Sequence, residues 1–262
     1  MSAAPDIAVI TPTTGRREQV ERCIHSVSLQ DYSGTVHQLV IGDHLDSDTA
    51  REVDTMCSRS GAEFRNDLRP LNTGYAPART GRLRNLGVRL STAPLIAHLD
   101  DDNTLEPQHL SSLAHLLKDP AVDIAHSWRR MLQPDGRPVH LQRYPWVIAH
   151  RDEIAKEVFD SLVAQGIFER GGAVIRDRVP DADGDLYHID SSEWMMRRSV
   201  FDAVSFLENA TPRQMIYQYT EDYLFCRDAV RAGLIFACSE KITLNYYLGG
   251  YWSCGETTLL EK

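Results

Sequence analysis

Three carboxylates stand side by side at Asp100, Asp101 and Asp102, directly after an apolar run, PLIAHL, at residues 94–99. Adjacent carboxylates repel one another and resist ionising together unless a cation offsets them. Hard oxygen donors of this kind suit Mg2+ or Mn2+. A solvated turn that caps the next helix is the plainer alternative, since Asp is common at helix starts; a buried strand running straight into the triplet weighs against it. A second acidic pair, Glu221-Asp222, opens a helical stretch, where the helix macrodipole alone also favours acidic residues. Polar residues just beyond other apolar runs complete the set: Thr11 and Thr13 close the first run and Asp43 follows 36–41, although Asp43 equally suits an Asx turn.

Residues so far apart act together only if their strand ends meet at one edge. The first half alternates short β-branched runs with helical stretches, the pattern of βαβ units and a mainly parallel sheet. It predicts strands at 7–11, 36–41, weakly 63–65, 94–99 and 122–126. Between them it predicts helices at 18–29, 47–60 and 78–90, and one led by Pro107 through Lys118. In an open sheet of this kind the ligand lies beyond the carboxyl ends of the strands, where Thr11, Thr13, Asp43 and the triplet all fall. The second half is looser. Residues 133–150 are turn-rich and aromatic, 152–165 form an amphipathic helix, 171–185 read as a loop, and 187–196 as a strand leading into a short helix at 198–204. A helix at 221–232 ends at Gly233.

The chain has 262 residues, 28 basic and 37 acidic, for a net charge of −9. This balance speaks against nucleic acid as a partner, because neutralising phosphates takes a clustered excess of Lys and Arg. No window approaches the roughly 20 apolar residues of a membrane span, and residues 1–6 lack a basic stretch leading into an apolar core. The expectation is a cytoplasmic protein. Its five cysteines, Cys23, Cys57, Cys226, Cys238 and Cys254, are far apart and read as reduced packing residues. The ten histidines show no metal-ligand spacing.

The segments ITPTTGRREQVERCIHSVSLQDY, LVIGDHLDSDT, ARTGRLRNLGV, the strand ending in DDDN, and TEDYLFCRDAVRAG occur in that order. In that order they resemble family 2 glycosyltransferases of the GT-A fold: an opening strand and helix, a V-D-D-G-S-T-D segment with Gly42 in place of its first Asp, an Ala-Arg-Asn helix, the DXD region, and the Glu-Asp helix. Within that family, Asp101-Asp102-Asn103, Ile189-Asp190 ahead of Met196–Ser199, and Leu244-Asn245-Tyr246 resemble the spore-coat polysaccharide glycosyltransferases. The likeness covers roughly 5–120 and 187–248; residues 128–186 match nothing recognised.

The resemblance implies one α/β GT-A domain, a mainly parallel sheet flanked by helices with a smaller mixed region on the acceptor side. Residues 1–127 form its nucleotide-sugar-binding half and 128–262 its acceptor-binding half. The activity implied is transfer of a sugar from a UDP- or dTDP-sugar donor to an unidentified acceptor hydroxyl, with Mn2+ or Mg2+. Asp102 is then the direct metal ligand, Asp101 meets the ribose or a metal-bound water, and Asp100 ends the strand. Asp43 accepts a hydrogen bond from N3–H of uracil or thymine, which discriminates against bases lacking that donor. Arg79 reaches base or diphosphate, Thr11 and Thr13 meet the nucleoside side of the donor, and Arg82, Arg84 and Arg89 are solvated or paired. Asp222 is the general base of an inverting displacement. Asp190, Glu221 and Trp194 are assigned to sugar or acceptor; Tyr144, Trp146 and Trp194 form either a stacking platform or core. The 166–185 loop either covers the donor or stays a passive surface loop.

Two other readings compete. A sugar-nucleotide-forming nucleotidyltransferase also uses metal carboxylates, but the single glycine of Thr13–Arg17 is too few for a triphosphate cradle, and the 221–222 pair would have no use. A non-catalytic nucleotide-sugar-binding subunit would bind metal and donor without turnover.

Overall fold

The computed structural model describes residues 4–70, 73–146, 152–179 and 189–249. The first half folds as its periodicity dictates. Strands β1 (Ile7–Thr13), β2 (Val36–Asp43), β3 (Glu63–Asp67) and β4 (Leu95–His98) alternate with helices α1 (Arg17–Ser28), α2 (Ser47–Ser60) and α3 (Ala76–Leu90). All four strands are parallel, in the order β3-β2-β1-β4. β1 is buried over its whole length. Ile7 and Val9 face one way, against Cys23 and Val27 of α1; Ala8 and Ile10 face the other, against Leu83 and Val88 of α3. Helices on both faces explain why the strand reads as a continuous apolar run rather than an alternating one.

Capping sets the register of these helices. Asp46 accepts from the amides of Asp48 and Thr49 at the start of α2, and Gly61 ends it at φ +76°. Pro77 occupies the first turn of α3, where its missing N–H costs nothing.

Beyond β4 the sheet becomes mixed. A two-residue strand β5 (Thr104–Leu105) and helix α4 (His109–Leu116) precede β6 (Ile124–Leu132); then come α5 (Asp152–Ala164), β7 (Val174–Ile175), β8 (Trp194–Arg197), α6 (Val200–Ala203), α7 (Pro212–Ile216), α8 (Glu221–Arg231) and β9 (Phe236–Tyr247). The order continues β4-β8-β6-β9-β5, with β8 antiparallel to its neighbours, β9 parallel to β6, and β7 on the outer part of β6. The expected α/β architecture with a smaller mixed region is present.

Four details differ from the sequence expectation. β6 does not stop at 126 but runs to Leu132, past Arg129, a buried arginine. β9, twelve residues long, has no counterpart in the expected strands, because its partly exposed residues give no clean alternation. The described part of the expected 187–196 strand is instead a 3-10 turn at Ser191–Glu193 followed by β8; residues 187 and 188 lie outside the described residues. The described part of the 166–185 segment is packed, with Ile167, Phe168 and Ile175 in a cluster with Phe159 of α5; residues 180–185 lie outside the described residues. Residue 127, where the two halves were expected to meet, lies within β6.

No helix among the described residues is long and apolar enough to cross a membrane. Cys23, Cys57 and Cys226 are buried free thiols and Cys238 a partly buried one; Cys254 lies outside the described residues.

Candidate functional site

The carboxyl ends of β1, β2 and β4 converge as expected on a cleft of about 260 Å3. Thr13, Arg16, Asp43, Arg79, Arg84, Asp100, Asp101 and Asp102 line it from the first half of the chain. Trp146, Glu221 and Tyr246 line it from the second half.

At the β2 end, Asp43 is paired with Arg79 of α3. In the middle, the Thr13 hydroxyl donates to Asp101 at 2.6 Å while its own oxygen accepts from the Gly15 amide at 2.9 Å. Arg16 pairs with Asp101 and, at 2.9 Å, with Asp102. Burial works against charge on Arg16, but the two carboxylates more than offset it and hold its pKa above the usual value. The loop after β1 therefore closes on Asp101 instead of forming an open phosphate cradle.

The triplet is also fixed from behind. The Asp100 amide donates to Ser192 Oγ at 3.1 Å, Arg22 donates to the Asp102 carbonyl at 2.9 Å, and Asn103 Oδ1 accepts from the Tyr247 amide at 3.1 Å. Asp100 turns away from its two neighbours to Arg84, at 2.6 Å; Arg84 also reaches Glu221 at 3.4 Å. Arg84, nearly fully buried, thus joins the strand end at β4 to the start of α8.

The electrostatics mark where charge is under-compensated. Burial, together with Asp101 and Asp100, pushes Asp102 up to about 7 against the opposing pull of Arg16. Burial raises Asp101 as well. Burial and the neighbouring Asp222 push Glu221 up to about 8, with Arg84 opposing. Two carboxylates on one turn, facing a cleft and short of positive charge, fit a divalent cation that takes its remaining ligands from phosphate and water. Of the two, Asp102 is the more accessible, with 15% of its side chain exposed against 5% for Asp101. Among the described residues no cluster of three or more His, Cys, Asp or Glu forms an all-protein metal cage.

Four expected residues, Thr11, Trp194, Asp190 and Asp222, do not line the cleft. Thr11 is fully buried, its hydroxyl accepting from Gln38 at 3.1 Å and lying against Cys23, because residue 11 shares the face of residue 13 but sits one pleat further in, beneath α1. Trp194 is sealed in the core against Phe225 and Phe206, ring centroids 5.2 and 6.3 Å away, so it offers no face to a sugar. Asp190 is buried, accepting a hydrogen bond from the Ser192 amide at 2.9 Å and ion-paired with Arg129 at 3.1 Å. Asp222 is half-buried beside the cleft at the start of α8, where Thr220 caps the helix and Asp222 itself accepts from the Tyr223 amide at 2.7 Å. Arg82 pairs with Asp67 and Arg89 with Glu208.

The sequence reading missed Arg16, Arg129 and Tyr246 as parts of this region. Each acts on partners tens of residues distant, and no local pattern signals that.

The model of glycosyl transferase family 2 matches residues 8–204. The chain is 29% identical over 122 residues to an N-acetylglucosaminyltransferase of Rhizobium leguminosarum bv. viciae, covering 46% of this chain and 27% of that one. It spans between a quarter and under half of the other curated relatives it matches. S. aureus TarS 1-349 in complex with UDP-GlcNAc superposes with a TM-score of 0.59 at 14% identity, over 96% of this chain and 61% of that one. The mannosyltransferase PcManGT from Pyrobaculum calidifontis, in complex with GDP-Man and Mn2+, gives 0.55 at 13% identity, over 95% and 61%. At these identities the two structures share the fold.

Proposed function

The chain belongs to glycosyl transferase family 2, and from that premise we propose that it moves a sugar from a UDP- or dTDP-sugar to an acceptor hydroxyl, with inversion and with Asp222 as general base. The observation that carries this reading is the order of groups across the sheet: Asp43 at β2, Thr13 at β1, Asp101 and Asp102 after β4, and the Glu221-Asp222 helix beyond. A nucleotide sugar is linear, base to ribose to diphosphate to sugar, and this order supplies a partner for each part in turn.

Asp43 accepts from N3–H of the base, held in place by Arg79, whose planar fork also faces the nucleotide. Asp102, with Asp101 behind it, would hold Mg2+ or Mn2+, which when bound supplies positive charge to the departing diphosphate. Arg16 lies on the same carboxylates, at the diphosphate end of the cleft. Asp222 removes the acceptor proton. The acceptor oxygen bonds to the anomeric carbon while the bond from that carbon to the diphosphate oxygen breaks, its electron pair leaving with the nucleotide. Attack opposite the leaving group inverts the configuration. Glu221 is tied to Arg84 and sets the position of α8 rather than taking the proton. Residues 1–127 serve as the nucleotide-binding half of the donor site and 128–262 as the half toward the transferred sugar and acceptor, and the likeness of Asp101–Asn103 and Leu244–Tyr246 to the spore-coat polysaccharide enzymes belongs to the same reading.

Two substitutions test this. Asp222→Asn keeps volume and helix-start hydrogen bonding but cannot accept a proton, so nucleotide affinity stays while turnover falls by about 10² to 10⁴. Full transfer to an identified acceptor by that variant would end the mechanism. Asp43→Ala should cost uridine and thymidine nucleotides about 1 to 3 kcal/mol of binding and leave cytidine nucleotides nearly untouched. Tightest binding by guanosine diphosphate would show the base assignment to be wrong.

A further inference from the structure

The donor reading leaves the far end of the cleft unassigned, and any role for that end rests on the same reading. With the base at Asp43 and the diphosphate at Asp101 and Asp102, the sugar must extend along the sheet toward β8, β6 and β9. Two aromatic side chains meet it there, Trp146 and Tyr246. Their rings are edge to face, 89° apart with centroids 5.8 Å apart, and the indole N–H donates to the Tyr246 hydroxyl at 3.3 Å. An aromatic pair with a fixed mutual angle offers an apolar ring face and a polar edge, the two features that a pyranose presents in turn.

Behind both rings lies Arg129 of β6, 2% exposed and not part of the cleft lining. Its guanidinium carbon is 5.0 Å from the Trp146 ring centroid and 5.4 Å from that of Tyr246. The same guanidinium reaches Asp177 at 3.0 Å, Asp190 at 3.1 Å and Glu193 at 3.3 Å. An arginine is buried only when its charge is answered, and here three carboxylates and two aromatic rings lie close enough to answer it. Asp190 in turn bonds the Ser192 amide, and Ser192 Oγ accepts from the amide of Asp100. The cluster is therefore connected to the aromatic wall on one side and to the acidic turn on the other.

We propose that Trp146 and Tyr246 form the platform on which the transferred sugar ring stacks, and that Arg129 is the positioning residue that holds this platform. Arg129 touches neither donor nor acceptor. Its planar fork fixes the two rings relative to the carboxylate turn, which a lysine, with one point charge, cannot do for all five partners at once.

The test compares Trp146→Ala, Arg129→Lys and the double variant, each assayed with Mn2+. UDP affinity is measured by calorimetry, and acceptor-independent hydrolysis is measured on whichever of UDP-glucose, UDP-N-acetylglucosamine and dTDP-glucose the wild type turns over fastest. Both single variants should bind UDP within about twofold of wild type and lose about tenfold or more in hydrolysis; the double variant should fall no further than the worse single, because both changes remove one platform. Losses that multiply in the double variant, or UDP affinity falling in step with hydrolysis in Arg129→Lys, would mark Arg129 as a general stabiliser and overturn its role. Hydrolysis unaffected by Trp146→Ala would overturn the platform. Failure of the wild type to bind any uridine or thymidine nucleotide would instead strike the donor reading itself.

Discussion

Arg16 occupies, with its own positive charge, the carboxylates to which a divalent cation is assigned. It pairs with both Asp101 and Asp102, and only 30% of its side chain is exposed. Removing it leaves two largely buried carboxylates facing each other without compensation, a situation that costs more than the pair itself contributes. Arg16→Met should therefore lower stability without metal by about 1 to 3 kcal/mol, the range being reduced because Arg16 is partly in water. Added Mg2+ or Mn2+ should then stabilise the variant by more than it stabilises wild type. Chemical denaturation with and without the cation measures both differences; an unchanged metal-free stability would show that the pair is not what keeps the acidic turn in place. The triplet itself was legible in the sequence because three contiguous carboxylates after an apolar strand are a local signal. Arg16 was not, since its partner Asp101 is 85 residues away, nor was the displacement of Thr11 and Trp194 from the cleft. How far along its strand a residue must sit to clear the packed helices is set by tertiary packing, which no local pattern shows.

Helix α3 carries Arg79 and Arg84 to the cleft, and its distance from the sheet is set by what it lacks. A Cβ on Gly87 would lie 2.4 Å from Ile10 Cγ2, and one on Gly81 would lie 2.1 Å from the Leu207 carbonyl oxygen. In an open helix Gly→Ala gains about 1 kcal/mol. At residue 81 the sign should reverse, because a backbone carbonyl cannot swing aside: Gly81→Ala should lose about 1 to 3 kcal/mol in denaturation, and nucleotide binding should weaken as Arg79 shifts. A stabilised variant would mean that the 207 segment moves freely. The contact of α3 with α8 gives a pH signature. Burial, with Asp222 on α8 and Asp100 after β4, pushes the pKa of Glu221 up to about 8 from 4.5, against the opposing pull of Arg84 of α3. Between these values the folded protein carries a proton that the unfolded chain has lost, so this group's contribution to stability falls as pH rises from about 4.5 to 8. Buried His98, His109 and His126, held low by burial, act in the opposite sense, so the informative quantity is a difference between variants. Glu221→Gln should be more stable relative to wild type at pH 8 than at pH 5.5 by about 1 kcal/mol or more, read from thermal melts at both values; a constant difference would place the titration elsewhere. The βαβ elements of the first half were legible because β1, β2 and β4 are buried as near-continuous apolar runs between helices, whereas β3, half-exposed, gave only a weak signal. β9 was not, because its half-exposed residues and its pairing with β6, more than 100 residues earlier, leave no period to read.

Across the whole molecule, one cleft draws on strands from both parts of the sheet: Asp43 and Thr13 from β2 and β1, the acidic turn after β4, Glu221 at the head of α8, and Tyr246 on β9. A ligand that bridges all of these binds only the folded chain, so its binding energy adds to global stability. The acidic excess of the chain, −9 in all, also means that an anionic diphosphate meets net repulsion unless positive charge is brought with it. Arg16, Arg79 and Arg84 supply some, but each is already engaged with a carboxylate of the cleft. Nucleotide and divalent cation should therefore bind together rather than independently. At a hundred times its dissociation constant UDP contributes about 2.7 kcal/mol, which for a domain of this size raises the melting temperature by roughly 5 to 10 °C. That rise should appear with Mg2+ or Mn2+ and vanish with EDTA, and Asp102→Ala should abolish the difference between the two conditions while leaving the melt itself cooperative. Equal stabilisation by UDP with and without the cation would remove the metal from the reading and leave the arginines as the whole of the diphosphate site.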